Sequence, residues 1–224
     1  MLRQDEARSA NKDYEKEREH MVKSQLARRG IKDKRVLEAM RQVPRHLFIP
    51  ESMRNLAYCD GPLPIGHGQT ISQPYIVALM TEILELAGQE TVLEVGTGSG
   101  YQAAILSRLA HQVYSVERHA VLAQQAENIL AQLGYDNIAV RVGNGTLGWP
   151  EHSPYEAIIV TAAAPDVPRP LTDQLADEGR LVAPVGSQWS QVLVKVRRQG
   201  DLLIRERLTA VAFVPLVGQY GWEE

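Results

Sequence analysis

The stretch Thr91-Val-Leu-Glu-Val-Gly-Thr-Gly-Ser-Gly-Tyr-Gln-Ala-Ala104 decides the fold of this 224-residue chain. Thr91 to Val95 is a β-branched and aliphatic run of strand length, and Gly96, Gly98 and Gly100 follow at alternate positions. From Tyr101 to Leu109 apolar residues return at helical spacing, with Ala104, Ile105 and Leu109 on one side. Strand, glycine turn and helix in that order make a nucleotide-cradling element. The glycines let the backbone turn tightly and approach a ligand, and the helix start offers free N–H groups.

Outward from this element the pattern alternates. Downstream, Gln112 to Glu117 predicts a strand, Ala120 to Leu133 a helix stopped by Gly134, and Asn137 to Val142 another strand. Tyr155 to Thr161 is a near-continuous apolar run, as expected of a parallel strand covered on both faces. Leu171 to Ala176 reads as helix, Arg180 to Val185 as strand, and two longer strand patterns, Gln191 to Arg197 and Leu202 to Val217, close the chain. The spacing predicts an α/β fold: a doubly wound, mostly parallel Rossmann-like sheet with an antiparallel edge and extra N-terminal helices. Its ligand belongs at the carboxyl ends of the strands beginning at Thr91, Gln112 and Tyr155, where the strand order should reverse.

Upstream, residues 1–20 are dense in charge of both signs and read as a solvated helix or frayed tail. Residues 21–224 read as one domain, with helices and a loop over 21–90 and the sheet over 91–224. Met21, Val22, Leu26 and Gly30 predict a short helix, and Asp33 caps a second one carrying Val36, Leu37 and Met40, ended at Val43-Pro44. Gly61 to Pro74 holds too many Gly and Pro residues for a regular element, yet few charges, which marks a candidate active-site loop. Pro74 then opens a helix with Ile76, Leu79, Met80 and Ile83 on its buried face and Gly88 as its stop.

Composition excludes several classes. Lys and Arg total 24 against 27 Asp and Glu, so a net charge of −3 gives no basic field for a nucleic-acid partner. Cys59 is the only cysteine, which rules out an internal disulfide and a cysteine-held zinc and suits a reducing cytoplasm. No apolar run is long enough to span a bilayer and the N-terminus lacks a signal-peptide pattern, so neither a membrane nor export is expected. No metal is expected, and a monomer is the simplest state.

The spacing of Gly96-Thr-Gly-Ser-Gly100 is not the G-x-G-x-x-G of dinucleotide folds, and the loop has no Lys or Arg to meet a pyrophosphate. A nucleoside without phosphates fits better, and S-adenosylmethionine is the common one. Glu117 can accept both ribose hydroxyls; otherwise it is an exposed strand-end charge. Thr161-Ala-Ala-Ala164 leaves room for a ligand or packs tightly against a helix.

Val92 to Gln102, with Gly68-Gln-Thr-Ile-Ser-Gln-Pro74 ahead of it, resembles protein-L-isoaspartate O-methyltransferases. Val113 to Arg118, Ala157 to Ala163, Gly179 to Gly186 and Phe213 to Leu216 match in the family's order, from about Met21 to Val217. The resemblance implies methyl transfer from S-adenosylmethionine, leaving S-adenosylhomocysteine, to the free α-carboxylate of L-isoaspartyl residues in age-damaged proteins. The ester then closes to a succinimide. It also implies Ser72 as the active-site residue, with Thr70 and Ile71 beside it at the substrate. Gln69, Thr70, Glu94, Gly96, Thr97, Gly98, Ser99, Gly100, Glu117, Asn144 and Gly145 are implied at the cofactor. One departure stands out: Gly143-Asn-Gly145 has an amide where the family commonly has an acid that reaches the adenine amino group.

The residues leave Ser72 open between orienting the acceptor and capping the helix at Pro74, and His67 between loop packing and a catalytic role. Rival readings are a methyltransferase acting on RNA or a small molecule, a binding module without turnover, and an NAD-dependent oxidoreductase. The first needs a basic patch on the loop face, and the last is opposed by the glycine spacing.

Overall fold

The structure, a computed structural model, describes residues 13–223. Residues 1–12 of the expected charged extension lie outside that range. Residues 13–21 form helix α1, which runs into a π turn at Val22–Leu26 and a 3-10 turn at Ala27–Arg29 ended by Gly30 at φ +102°. The boundary expected between residues 20 and 21 therefore falls inside a helix. Tyr14 of α1 stacks on His46 with ring centroids 4.1 Å apart, and Glu19 meets Arg41 at 3.0 Å. The described part of the extension is thus a helix that stays largely exposed while Tyr14 and Glu19 pack against the chain that follows.

Helix α2, Lys34–Gln42, begins where Asp33 accepts hydrogen bonds from the Arg35 and Val36 amides and ends at Val43 before Pro44. Next come 3-10 turns at Arg45–Phe48 and Glu51–Leu56. The Gly/Pro-rich stretch is more regular than expected: β1, Leu63–Gly66, pairs antiparallel with β2, Gln69–Ile71. Proline is tolerated because this small sheet is all edge. Helix α3, Pro74–Ile83, stops at Leu84 rather than Gly88. Its buried face is Val77, Ala78, Met80 and Thr81, while Ile76, Leu79 and Ile83 stay partly exposed.

The main sheet has seven strands in the order β5-β4-β3-β6-β7-β8-β9. β3 is Thr91–Val95, β4 Gln112–Glu117, β5 Ile138–Val142 and β6 Tyr155–Val160. β7 is Leu175–Gly186, β8 Gln191–Gln199 and β9 Leu202–Val211. β3 to β7 run parallel, while β8 and β9 add antiparallel at one edge. Helix α4, Tyr101–Ser107, follows β3, and α5, Ala120–Gln132, follows β4. The expected helix through Ala176 is only α6, Arg169–Asp173, since Leu175 already pairs with Tyr155. The last strand ends at Val211 rather than Val217, and the remaining chain turns inward, where the Leu216 amide donates to the Ala163 carbonyl at 2.7 Å.

Strand alternation sends Val92, Ala157 and Ile159 into one core and Leu93, Val95, Ile158 and Val160 into the other. Burying each such side chain contributes roughly 1.5–3 kcal/mol, so both faces of the central strands anchor what stands at their ends. Every residue of α4 is buried, with the Tyr101 ring edge-on to Phe48 at 5.6 Å. The turn before α4 is thereby held by a helix that has no solvent face.

Candidate active site

β3 is flanked by β4 and β6, and the strand order reverses there. A cleft opens at the carboxyl ends of these strands, lined by Val95, Gly96, Gly98, Val116, Glu117, Arg118, Gly145, Thr161, Ala162, Val214 to Val217, and by Gln69 and Thr70 from β2. Gly96 sits at φ +99°, and a Cβ there would run into Thr161 Oγ1. That hydroxyl donates to the carbonyls of Val95 (3.0 Å) and Gly96 (2.7 Å), tying the β6 end to the loop. A Cβ on Gly145 would lie 2.5 Å from Val95 Cγ1. Backbone therefore forms the cleft wall where side chains would fill it.

Glu117 is almost fully buried. One carboxylate oxygen accepts the Gly98 amide and the other the His119 amide, each at 2.9 Å. Each oxygen keeps a further lone pair, so the group can hold the loop and still accept from a ribose. Glu117 is thus no exposed strand-end charge.

The other expected cofactor residues divide. Glu94 is completely buried and does not line the cleft. One of its carboxyl oxygens takes the Ser115 hydroxyl, which also meets Thr97 Oγ1 at 2.5 Å, and the other is buried without a partner among the described residues. Burial, above all, pushes the Glu94 carboxyl up to about 8, and Glu117 nearby adds to that. Glu94 and Thr97 thus stand behind the loop. Ser99 faces an adjoining groove with Phe48, Ile65 and Leu122. Gly100 is the N-cap of α4, at φ +85°, where a Cβ would press on Ala126 of α5 at 3.3 Å. Asn144 lines a third depression beside Gly218 and Trp222, and its Oδ1 already accepts from the Thr146 amide (3.0 Å) and hydroxyl (2.7 Å).

On the acceptor side, Ile71 is buried in the core, not exposed as a substrate contact. Ser72 is half-buried just beyond β2. The N-cap of α3 is Gln73, so Ser72 does not cap that helix, and its hydroxyl makes no hydrogen bond among the described residues. His67, at φ +52°, forms the hairpin tip. Thr161 opens the small-residue run expected to leave room for a ligand, and it lines the cleft. Arg118 and Val214 to Val217 line it too, although the sequence pattern marks the latter only as continuing strand. No group of three or more His, Cys, Asp or Glu among the described residues could hold a metal ion.

The fold and cleft are those of a Rossmann-like methyltransferase. A model of the protein-L-isoaspartate(D-aspartate) O-methyltransferase family matches residues 16–221, reaching five residues into the charged extension expected to fall outside it. A protein-L-isoaspartate O-methyltransferase of Pelobacter propionicus is 60% identical over 214 residues, 95% of this chain and 94% of that one. One of Geobacter metallireducens is 59% identical over 206 residues, covering 92% and 95%. A solved protein-L-isoaspartate O-methyltransferase superposes with TM-score 0.82 at 30% identity, over 91% of this chain and 67% of that one. A Plasmodium falciparum structure in complex with S-adenosyl-L-homocysteine superposes with TM-score 0.78 at 29% identity, over 89% and 98%. The chain belongs to the protein-L-isoaspartate(D-aspartate) O-methyltransferase family. It is an S-adenosylmethionine-dependent enzyme that methylates L-isoaspartyl residues.

Proposed function

We propose that the cleft holds the methyl donor and that Ser72 seats the free α-carboxylate of an L-isoaspartyl residue against it. The observation carrying this reading is that Gln69 and Thr70 share the cleft with Gly96, Gly98 and Glu117, while the Ser72 hydroxyl two residues on has no partner among the described residues. S-adenosylmethionine, when bound, supplies an electrophilic methyl group on a sulfonium. Gly96, Gly98 and Gly145 fit that ligand because their backbone forms the wall, and Glu117 offers acceptor oxygens for its ribose. Val116, Val214 and Leu216 give an apolar surface for its base.

The acceptor needs little chemistry. An α-carboxyl has a pKa of about 3.5, so it is already an anion at neutral pH and requires no general base. The protein must align oxygen, carbon and sulfur and exclude water, and such positioning can supply several kcal/mol. The Ser72 hydroxyl donates to the carboxylate and orients it; His67 takes no proton. Asn144 faces the adenine end with its amide, since its carbonyl oxygen caps the turn at Thr146. The methyl ester then closes to a succinimide, whose hydrolysis returns part of the damage to normal aspartate.

Donor cleft and acceptor loop come from one chain, which supports a monomer, and the exposed free thiol of Cys59 suits a cytoplasmic setting. Age-damaged proteins and peptides, not nucleic acids or membranes, are the partners, and no metal takes part. Methyl transfer to an isoaspartyl peptide beside its normal aspartyl twin tests the assignment. Labelling of the isoaspartyl form alone is expected, and equal labelling of the two would refute it.

A further inference from the structure

We propose that His67 and His119 form a clasp that holds the β1–β2 hairpin over the donor cleft, which makes both of them positioning residues for methyl transfer. The proposal rests on the reading of that cleft as the donor site.

Among the described residues β1 and β2 pair only with each other, so no ladder of hydrogen bonds ties the hairpin to the main sheet. Side-chain contacts must hold it. Its tip is Gly66-His67-Gly68, with φ of +95°, +52° and +69°. A side chain between two glycines, itself left-handed, is uncommon, and the turn alone gives no reason for an imidazole there. That imidazole lies 5.6 Å from the ring of His119, with the planes inclined by 30°. The geometry is that of a tilted ring contact within the distance range of aromatic pairs.

His119 immediately precedes α5, and its amide donates to Glu117, whose other oxygen receives the Gly98 amide. One carboxylate therefore links the clasp to the glycine loop. The hairpin touches down a second time through Ile65, whose Cδ1 lies 3.5 Å from where a Cβ on Gly98 would stand. Gln69 and Thr70 face the cleft beyond these two contacts, and Ser72 follows them. His119 Nε2 is buried without a hydrogen-bond partner among the described residues, so the tilted contact with the His67 ring, not a bond at that nitrogen, orients it. A hairpin closed in this way keeps water out of the cleft and fixes the acceptor loop relative to the donor loop.

The full chain is compared with His67→Asn, His67→Tyr, His119→Ala and the double variant His67→Asn/His119→Ala. Asparagine tolerates a left-handed backbone, so His67→Asn removes the ring without straining the turn. Calorimetry with S-adenosylhomocysteine gives the dissociation constant, and peptide methylation gives kcat and KM. Loss of the pair is expected to weaken S-adenosylhomocysteine binding roughly five-fold, raise KM for the donor more than it lowers kcat, and be restored by His67→Tyr. The double variant should be no worse than either single one. Unchanged binding in His67→Asn, or independent losses that multiply in the double variant, would overturn the clasp. Failure of the unsubstituted chain to bind S-adenosylhomocysteine would overturn the donor-cleft reading instead.

Discussion

Replacing Glu94 by glutamine should remove a pH-dependent cost that the folded chain carries at neutral pH. In the folded protein this carboxyl keeps its proton up to about 8, whereas in the unfolded chain it ionises near its ordinary value of 4.5. Folding therefore takes up a proton between those limits. The stability this group contributes is fully present below 4.5 and is lost as pH rises through about 8. Linkage puts the loss between about pH 5 and pH 7 on the order of 2.5 kcal/mol for a group with no solvent exposure. An amide does not titrate and still accepts from the Ser115 hydroxyl. The stability of Glu94→Gln minus that of the unsubstituted chain should therefore climb by about that amount over the same window. Glu19 and Glu85, held low by their bonds to Lys23 and Lys195, pull the absolute curves the other way below 4.5, but identically in both proteins, so the difference isolates Glu94. Urea unfolding of the two proteins at several pH values across the window measures it. A difference that stays flat with pH would refute the argument that burial keeps Glu94 protonated.

Ser72→Ala should lower kcat by roughly ten-fold, about one charge-assisted hydrogen bond, with little change in S-adenosylhomocysteine affinity. Steady-state methylation together with calorimetry separates the two, and unchanged turnover would remove Ser72 from the mechanism. Asn144→Ala should cost about 1 kcal/mol of stability through loss of the cap at Thr146, visible in urea unfolding. Asn144→Asp keeps that cap and adds a second acceptor oxygen, so it should hold stability and tighten S-adenosylhomocysteine binding. If affinity does not move, Asn144 is not an adenine contact.

The elements legible in the sequence are those fixed by local signals. Thr91–Val95 and Gln112–Glu117 appear with the expected limits because apolar runs end at glycine or a charged residue, and the Asp33 cap needs only three residues to be recognised. What escaped depends on distant partners. The hairpin hid in a Gly/Pro-rich stretch because two short strands that pair only with each other need no periodicity. Leu175 looked helical by pattern, yet pairing with Tyr155 draws it into β7. The Thr-Ile-Ser motif does not reveal that Ile71 is buried, because burial is decided by what packs over a strand. Nearness to Gly96 suggests a cofactor contact for Glu94, but β3 is covered on both faces, so Glu94 is interior, while Arg118 beside Glu117 lines the cleft.

The turn at Asn144 bears on the enzyme's own lifespan. Asparagine followed by glycine is the sequence in which the backbone nitrogen most readily attacks the side-chain amide, expelling ammonia to leave a succinimide that water opens to the isoaspartyl lesion this family acts on. Here the Asn144 carbonyl oxygen is held by the amide and hydroxyl of Thr146, and Gly145 lies so close to Val95 that a Cβ there would strike it. Attack requires the amide carbon to rotate onto the Gly145 nitrogen, so the turn must open first. Ageing at this site is then limited by how seldom the three-residue 3-10 helix at Gly145–Leu147 unwinds.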